Sequence, residues 1–276
     1  MMEQIEPLAY SFVTVNSSGQ VVSHTSGLAE GLAVDIGADQ PMAMIALPGG
    51  TFSMGSPAGE GYADEKPRHE VCVAPFFIGR FPVTQGQWMA LMGEDKGWRF
   101  RGLRKSVHNV SWQEALEFCE RLAELTGHAF RLPSEAQWEY ACRGGMESAF
   151  SCGPTITTDL ANYNGEYTYL GAPQGPYRHV LLDVDAFPAN PFGLHEMHGN
   201  LWEWCADPWH GRYDGAPADG RVWDEGGSNR GRVARGGSWH ETPDLCRSAS
   251  RLKLPYDEGD EMIGFRVVID AGRSAP

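Results

Sequence analysis

The chain has 276 residues, 42% of them hydrophobic and 21% charged, which is typical of one large globular domain with or without a small extension. Its formal net charge of −14 argues against a nucleic-acid partner, because binding phosphate groups requires clustered Lys and Arg. No stretch approaches the roughly 20 apolar residues of a membrane span, and no secretory signal is visible, so we expect a cytoplasmic protein without membrane contacts.

The six cysteines are scattered and include no C-x-x-C pair, which argues against a zinc ribbon or a thioredoxin-like motif. Because no export signal is visible, we expect them to be buried free thiols. They are Cys72, Cys119, Cys142, Cys152, Cys205 and Cys246.

The first 40 residues predict a short extension in front of a main domain that covers residues 41–276. Residues 10–23 alternate β-branched or aromatic residues around the turn Asn-Ser-Ser-Gly, and this pattern is typical of a β-hairpin. Residues 24–40 are small and polar, with little periodicity. We interpret them as a linker between the hairpin and the main domain.

The start of the main domain predicts strands and a first helix. A strand at residues 42–56 is interrupted by the turn Pro-Gly-Gly, and a polar loop follows at residues 56–70. Residues 69–84 are predicted to form a pair of strands. They lead into a helix predicted at residues 84–93.

A second helix is predicted between Ser111 and Gly127. Ser111 and Glu114 form the S-x-x-E capping box, and Gly127 stands where a C-terminal glycine cap belongs. Five apolar residues of this segment share one helical face, which we expect to be buried. They are Ala115, Leu116, Cys119, Leu122 and Leu125.

Another capping box, Ser134 and Gln137, predicts a third helix that ends at Gly144. Beyond residue 145 we expect no long helix, because the chain is rich in Gly, Asn, Trp and Pro and lacks helical periodicity. A last strand is predicted at residues 263–270. The whole pattern indicates an α+β fold with a loop-dominated second half.

Five separated segments carry a more specific signal. In chain order they read GGTFSMGS, FPVTQGQWMALMG, RLPSEAQWEYACRGG, NPFGLHEMHGNLWEWCADPW, and RVARGGSW with CRSASR and IGFRVV. Together they strongly resemble the formylglycine-generating enzyme (sulfatase-modifying factor) family over residues 42–270. The resemblance implies a variant of the C-type lectin fold, with little regular secondary structure, a small twisted sheet and long loops held by buried aromatic side chains.

The resemblance also shows what this chain lacks. Family members that make formylglycine use two cysteines to bind copper and activate oxygen, and soft thiolates suit Cu(I). The first cysteine lies three residues after the serine of Gly-Gly-Ser, which corresponds here to Glu241, counted from Ser238. The second position is Cys246 only in an ungapped alignment, and Cys246 better matches a structural segment of the family. We therefore expect no formylglycine synthesis by this mechanism.

The residues left in the loop permit two other functions. Glu241, beside His240 and Ser238, could act as a general base or bind a harder metal such as iron. Under this interpretation the protein is a metal-dependent oxidoreductase with iron or copper, like relatives without the cysteine pair. An iron site would need two histidines and a carboxylate, here Glu241 with His240 and one of His195, His198 or His210. Alternatively, these side chains only line a solvated groove.

The segment HEMHGNLWEW is interpreted differently from a zinc motif, because its histidines are three residues apart and miss the H-E-x-x-H spacing. The resemblance implies a calcium site instead, since calcium takes carboxylate and carbonyl oxygens. Its ligands would be the side chains of Glu196 and Glu203 and the carbonyls of Gly199 and Leu201. A second family calcium site would use Asn162 and the Tyr163 carbonyl, but its expected downstream Asp is missing near Pro176.

Tryptophan and arginine side chains are predicted to hold the loops together. Buried indoles stabilise a loop-rich fold by about 2–3 kcal/mol each, and arginines donate to loop carbonyls and carboxylates. Trp239 and Arg251 are expected nearest the groove. The predicted anchors are Trp202, Trp204 and Trp209, and the predicted internal donors are Arg131, Arg247, Arg251 and Arg266.

A binding function is the interpretation that we favour. C-type lectin folds serve as scaffolds for variable loops, and in the variable proteins of diversity-generating retroelements the segment between G-G-S-W and I-G-F-R faces the ligand. We therefore predict a surface for a protein or small-molecule ligand within residues 239–256. Its members are Trp239, His240, Glu241, Thr242, Asp244, Leu245, Arg251, Leu252, Lys253 and Tyr256.

Overall fold

The structure is a computed structural model and describes residues 5–274. This range contains three α-helices and twelve strands. The helices are α1 (Gln85–Met92), α2 (Trp112–Thr126) and α3 (Glu135–Arg143). The strands are β1 (Glu6–Val15), β2 (Val21–Val34), β3 (Met42–Leu47), β4 (Gly50–Met54), β5 (His69–Val73), β6 (Phe76–Gly79), β7 (His128–Arg131), β8 (Trp202–Pro208), β9 (Gly231–Arg235), β10 (Arg251–Pro255), β11 (Ile263–Gly264) and β12 (Val268–Ser274).

Two sheets and a two-stranded ribbon form the frame. The larger sheet has the order β1-β2-β3-β6-β12-β7, and all its neighbouring strands are antiparallel. The smaller sheet has the order β10-β9-β8-β11, with β11 parallel to β8. β4 and β5 pair only with each other. The C-terminal strand therefore lies between β6 and β7, which joins the two halves of the chain in one sheet.

Helices α1 and α2 pack on aromatic and aliphatic side chains in the largest core cluster. Trp88 of α1 stacks on Phe118 of α2 with ring centroids 5.8 Å apart, and Phe265 contacts both rings edge-on. Trp202 and Trp204 of β8 belong to the same cluster. Such burial is the main stabilising contribution in a domain with few regular elements. Helix α3 packs in a second cluster with strands of both sheets.

The predicted N-terminal hairpin is confirmed, but the predicted linker is wrong for residues 24–34. These residues form the second part of β2, and Val34 pairs with Met42 of β3. Leu32 and Val34 are buried in the core, and this packing holds a segment that looks like a loop in a β conformation. The hairpin therefore continues the larger sheet.

The predicted helices are confirmed, including their ends. Ser111 and Ser134 each accept a bond from the N3 backbone amide, and both capping boxes are complete. Gly127 and Gly144 adopt left-handed conformations at the C-terminal ends. The buried face of α2 was partly wrong, because Leu125 is 56% exposed and Phe118 is buried instead. After residue 145, the described part of the chain contains no α-helix, as predicted.

Two other expectations need correction. Residues 69–84 do contain two strands, but β5 pairs with β4 while β6 pairs with β3 and β12, so they do not form a hairpin with each other. The six cysteines are free, as predicted, but Cys72 is exposed on β5. None of the helices within residues 5–274 is long and apolar enough to cross a bilayer.

Candidate ligand-binding site

A tight glycine turn after β9 presents the Gly-Gly-Ser-Trp loop. Gly236 and Gly237 have φ values of +105° and +79°, and a Cβ at Gly237 would lie 2.5 Å from the Cys246 sulfur. The turn leaves Ser238 buried, and its hydroxyl oxygen accepts the His240 amide at 3.3 Å. Only glycine fits this approach, so the position of the next three residues is fixed by backbone packing.

Trp239 lies at the centre of an aromatic group. Its ring is 5% exposed, meets Phe100 edge-on at 5.5 Å and stacks on Tyr177 at 6.3 Å. Leu181 and Leu201 pack with it. The buried indole Nε1 has no hydrogen-bond partner among the described residues. A buried donor of this kind normally has a partner, since leaving it unpaired costs about 1–3 kcal/mol.

Tyr177 connects the aromatic group to His240. Its hydroxyl hydrogen-bonds the Nδ1 of His240, and its ring lies 3.6 Å from that of His179. Burial, followed by the charges of Glu166 and Glu241, raises the pKa of Tyr177. The surroundings of this phenol are therefore negatively charged. We call Phe100, Tyr177, His179, Trp239, His240 and Glu241 the Trp239 site.

Glu241 stands where the family pattern has its first catalytic cysteine. The indole Nε1 of Trp202 lies 3.4 Å from its Oε1, and its backbone carbonyl accepts the Asn164 amide at 2.8 Å. The carboxylate is half-buried, and no Lys, Arg or His among the side chains that the structure describes forms an ion pair with it. Position 241 thus offers a half-buried, uncompensated negative charge.

Cys246, the alternative candidate for a second cysteine, is fully buried. Burial, followed by the charges of Glu241 and Asp244, raises its pKa well above the ordinary value for a thiol. Its sulfur is 3.7 Å from the Thr242 carbonyl. A single buried thiol does not make up the pair of thiolates that the family uses for copper.

The predicted ligand surface separates into accessible and buried residues. Trp239 and Arg251 are buried, and Arg251 donates to both oxygens of Glu135 at 2.6 and 2.9 Å. The prediction that Arg251 contacts a ligand is therefore wrong, because its guanidinium donors bond to the buried Glu135 carboxylate. The other eight are partly or fully exposed: His240, Glu241, Thr242, Asp244, Leu245, Leu252, Lys253 and Tyr256.

These eight residues do not share one environment. Asp244 accepts the Tyr62 hydroxyl at 2.6 Å and a bond from Thr242. Leu245 and Leu252 pack against the largest core cluster, and Lys253 pairs with Val233 on β9. The ring of Tyr256 lies near the Arg232 guanidinium, which also covers Trp112. Only His240 and Glu241 join the Trp239 site.

The histidines that were considered as iron ligands have other partners. His195 contacts the Phe187 carbonyl at 2.9 Å, and His210 stacks on Trp223 at 3.6 Å. His198 is buried between Ser151 and the Cys246 carbonyl. Residues 5–274 contain no group of three or more His, Cys, Asp or Glu that could hold a metal ion. Oxidation by a metal bound to Glu241 and His240 stays a prediction without an assembled ligand set.

The predicted calcium ligands are brought together only in part. Asn200 donates to the Glu196 carboxylate and its Oδ1 accepts from Asn162, whose own Oδ1 is buried without a partner. Burial raises the pKa of Glu196 well above its ordinary value. These hard oxygens suit calcium, whereas the Glu203 carboxylate is occupied by Arg266 at 2.6 and 2.7 Å.

The remaining predicted ligands of both calcium sites are backbone carbonyls. That of Gly199 accepts the Leu201 amide at 2.9 Å. Tyr163 is buried, and its hydroxyl donates to the Ile156 carbonyl at 3.2 Å. Calcium binding by these segments stays a prediction.

The predicted arginine donors are confirmed, and the structure adds their acceptors. Arg131 pairs with Asp270, Arg247 with Glu65, Arg251 with Glu135 and Arg266 with Glu203. Trp202 and Trp204 are buried anchors, and Trp209 packs under the Arg251 guanidinium. Sequence reasoning missed Phe100, Tyr177 and His179. They lie in irregular loops at least 60 residues from Trp239, and no pattern in those loops marks them.

Residues 33–271 match the sulfatase-modifying factor enzyme 1-like domain. The chain is 28% identical to the inactive C-alpha-formylglycine-generating enzyme 2 of Bos taurus, over 89% of this chain and 94% of that protein. It also resembles the solved structure of PvdO from Pseudomonas aeruginosa, with 31% identity, a TM-score of 0.75 and coverage of 84% of this chain and 95% of that one.

A third similarity concerns the fold alone. Treponema denticola variable protein 1 is 21% identical, with a TM-score of 0.67 and coverage of 87% of this chain and 98% of that one. The prediction from the five motifs is confirmed: the chain belongs to the sulfatase-modifying factor family and has a formylglycine-generating-enzyme, C-type-lectin-like fold.

Proposed function

We propose that this chain is a member of the family that makes no formylglycine and instead binds a ligand, either a protein or a small molecule, at the Trp239 site. The observation that carries the proposal is the environment of Glu241. A half-buried carboxylate stands at the first catalytic position, beside an aromatic group with an unpaired buried donor. Convergent polar groups among aromatic side chains are the usual composition of ligand sites.

The same residues argue against copper chemistry of the family type. A carboxylate is a hard ligand and does not replace a thiolate for Cu(I). Cys246 is fully buried and is a single thiol, so it does not provide the two thiolates of the family's copper site. The name of the relative from Bos taurus also describes it as inactive. This similarity supports the absence of formylglycine synthesis.

A finer version of the proposal concerns a variable protein. The eight accessible residues of the 240–256 segment alternate with buried ones such as Cys246, Arg247 and Ser250. Substitutions at these positions, apart from Leu245 and Leu252 which pack on the core, would leave the buried frame unchanged, which is the requirement for a diversified binding surface. Sequences of several copies from one genome test this version, which predicts that differences concentrate at the remaining accessible positions.

The test of the binding function has two arms. In the first, elemental mass spectrometry of chelator-free protein, together with a peptide assay for formylglycine, is expected to give no stoichiometric copper or iron and no product. One copper or iron per chain that is lost in Glu241→Ala would overturn the proposal.

In the second arm, hydrogen–deuterium exchange is measured with a library of peptides and small molecules. The binding function predicts a ligand that protects residues 239–241 and 177–179 in the wild type and loses this effect in Glu241→Ala. Glu120→Gln, which changes an exposed carboxylate on α2, is the matched control. Protection confined to other parts of the chain, or none with any library member, contradicts the proposal.

A further inference from the structure

The protein holds several of its own arginines in one repeated way. Arg251 is ion-paired with Glu135 and lies 4.5 Å from the Trp209 ring and 4.3 Å from the Tyr213 ring. We call Glu135, Trp209 and Tyr213 the Arg251 site. A carboxylate neutralises the charge while aromatic faces cover the planar guanidinium, which is weakly hydrated and stacks well.

Two other buried arginines repeat the arrangement with one ring each. Arg235 pairs with Glu139 and lies 5.6 Å from the Trp138 ring. Arg247 pairs with Glu65 at 2.7 Å and lies 5.8 Å from the Tyr62 ring. Three buried guanidinium groups thus share the combination of carboxylate and aromatic ring, whereas buried Arg143 and Arg266 have the carboxylate alone.

The Trp239 site has the same parts without an arginine. Glu241 supplies the carboxylate, and Trp239 and Tyr177 supply the indole and the phenol. We propose that this site binds the guanidinium group of a ligand, which would complete the arrangement; the inference rests on the binding function proposed above. The ligand is either a small guanidinium compound or an arginine residue of a peptide.

The charges around the site favour a cation. The charges of Glu166 and Glu241 both raise the pKa of Tyr177, and neither carboxylate has an ion-pair partner among the described side chains. The nearby Arg99 lies over Phe100 but is paired with Glu261 at 2.8 Å. Arg178 has no ion-pair partner among the described side chains, and its guanidinium donates to the Thr158 carbonyl and lies over Phe187, neither of which belongs to the Trp239 site. The net charge of −14 adds long-range attraction for a positively charged ligand.

Although the core residue Trp88 also has an unpaired indole Nε1, that of Trp239 lies in the proposed site. Its Nε1 donor is buried, so a bound molecule that offers an acceptor would remove the cost of leaving it unpaired. A guanidinium has donors only. The ligand therefore needs an acceptor, such as a carbonyl, near its guanidinium, and both N-acetylarginine amide and an arginyl peptide provide one.

The experiment follows the tryptophan indole N–H resonances of the full chain by NMR, with the Trp239 signal assigned through Trp239→Phe. The probes are N-acetylarginine amide and the tripeptide acetyl-Gly-Arg-Gly amide, up to about 5 mM, which detects even millimolar affinity. Their matched controls carry citrulline, which keeps the shape and removes the charge, or lysine. Saturable shifts of the Trp239 signal are expected with an arginine probe, and the probe that binds more tightly identifies the source.

Two variants test whether the arginine probe binds at Glu241. Glu241→Gln is expected to weaken it by about tenfold or more, because a charge-assisted hydrogen bond is lost, whereas Glu120→Gln should leave it unchanged. Equal binding of arginine and citrulline probes, equal loss in both variants, or no shift with any arginine probe would overturn the inference. If another ligand still requires Glu241 in the exchange experiment, only the guanidinium inference fails. If no ligand does, the proposed binding function fails as well.

Discussion

The Arg251 site and the Trp239 site are made of the same kinds of side chain, yet one is complete within the protein and the other is not. In the first, a guanidinium neutralises the carboxylate and fills the space between the rings. In the second, the carboxylate of Glu241 lacks an ion-pair partner in the described part of the chain, and a buried indole donor is unpaired. The complete arrangement stabilises the fold, whereas we propose that the incomplete one binds a ligand.

The complete arrangements form a continuous buried network around α3. Arg235 reaches Glu139 and the carbonyls of Ser248, Ala249 and Ser250, and Arg143 donates to Glu139 at 2.7 and 2.9 Å. Burial by itself raises the pKa of Glu139, but Arg143 and Arg235 outweigh it and hold the pKa below its ordinary value. The network therefore fixes the β9–β10 frame from which the 236–241 loop projects.

The largest expected effect comes from breaking this network while leaving its shape intact. Glu139→Gln removes one buried charge and leaves Arg143 and Arg235 without this charged partner. We expect the unfolding free energy to fall by about 3–5 kcal/mol. Glu117→Gln is the matched control, because Glu117–Arg121 is also a Glu–Arg pair at i,i+4, but an exposed one. Its loss should cost about 0.5 kcal/mol or less. Urea unfolding measures both, and similar losses would contradict the structural role of the network.

Glu196 is a buried carboxylate without an arginine, and the calcium prediction would supply its cation. After treatment with a chelator, excess Ca²⁺ should raise the unfolding free energy by about 2.7 kcal/mol at one hundred times the dissociation constant. Glu196→Gln should remove most of this effect, because it removes the charged ligand. Thermal unfolding with Ca²⁺ and with Mg²⁺ is the measurement. An unchanged midpoint with Ca²⁺ would show that the calcium prediction is wrong.

Asp207 gives a smaller effect that depends on pH. It accepts only backbone amides, those of Glu135 and Trp223. Burial, followed by the charge of Glu135, raises its pKa from 3.8 to about 7. The folded chain thus keeps a proton that the unfolded chain has lost, so this contribution to stability is fully present below pH 3.8 and is lost as the pH rises to 7.

Asp207→Asn, which does not titrate, isolates this contribution. Between pH 5 and 7 the unfolding free energy of the wild type should fall by about 2 kcal/mol more than that of the variant. Urea unfolding across this range gives both slopes. Parallel slopes would show that Asp207 titrates in the folded protein as it does in the unfolded chain.

Local signals in the sequence predicted the elements that local interactions determine. The capping boxes at Ser111 and Ser134 and the hairpin turn after Val15 involve residues within a few positions of each other. The place of β12 between β6 and β7 depends on pairing across more than 130 residues, which no local pattern encodes. The same reason explains why residues 24–34 look like a linker, although pairing with β1 and β3 makes them a strand.

Only those residues of the candidate site that belong to a sequence motif could be predicted. The Gly-Gly-Ser-Trp motif located Trp239 and Glu241, and the missing cysteine led to the prediction that no formylglycine is made. Tyr177 and Phe100, which complete the site, come from loops without periodicity. Arg251 was assigned to the ligand surface because the sequence shows a charged residue in the segment but not its partner, Glu135. Ion-pair partners more than 100 residues apart require the structure.

The smallest expected effect is also the one that separates the two sites most sharply. Glu241→Gln should change the unfolding free energy by less than about 0.5 kcal/mol, because the side chain is half-exposed and breaks no ion pair within the described residues. The new amide oxygen can still accept from Trp202, so the local contact is kept. The same urea titration that measures Glu139→Gln gives this value. A loss as large as that of Glu139→Gln would mean that Glu241 holds the fold together, and the Trp239 site would then belong to the scaffold and not to a ligand.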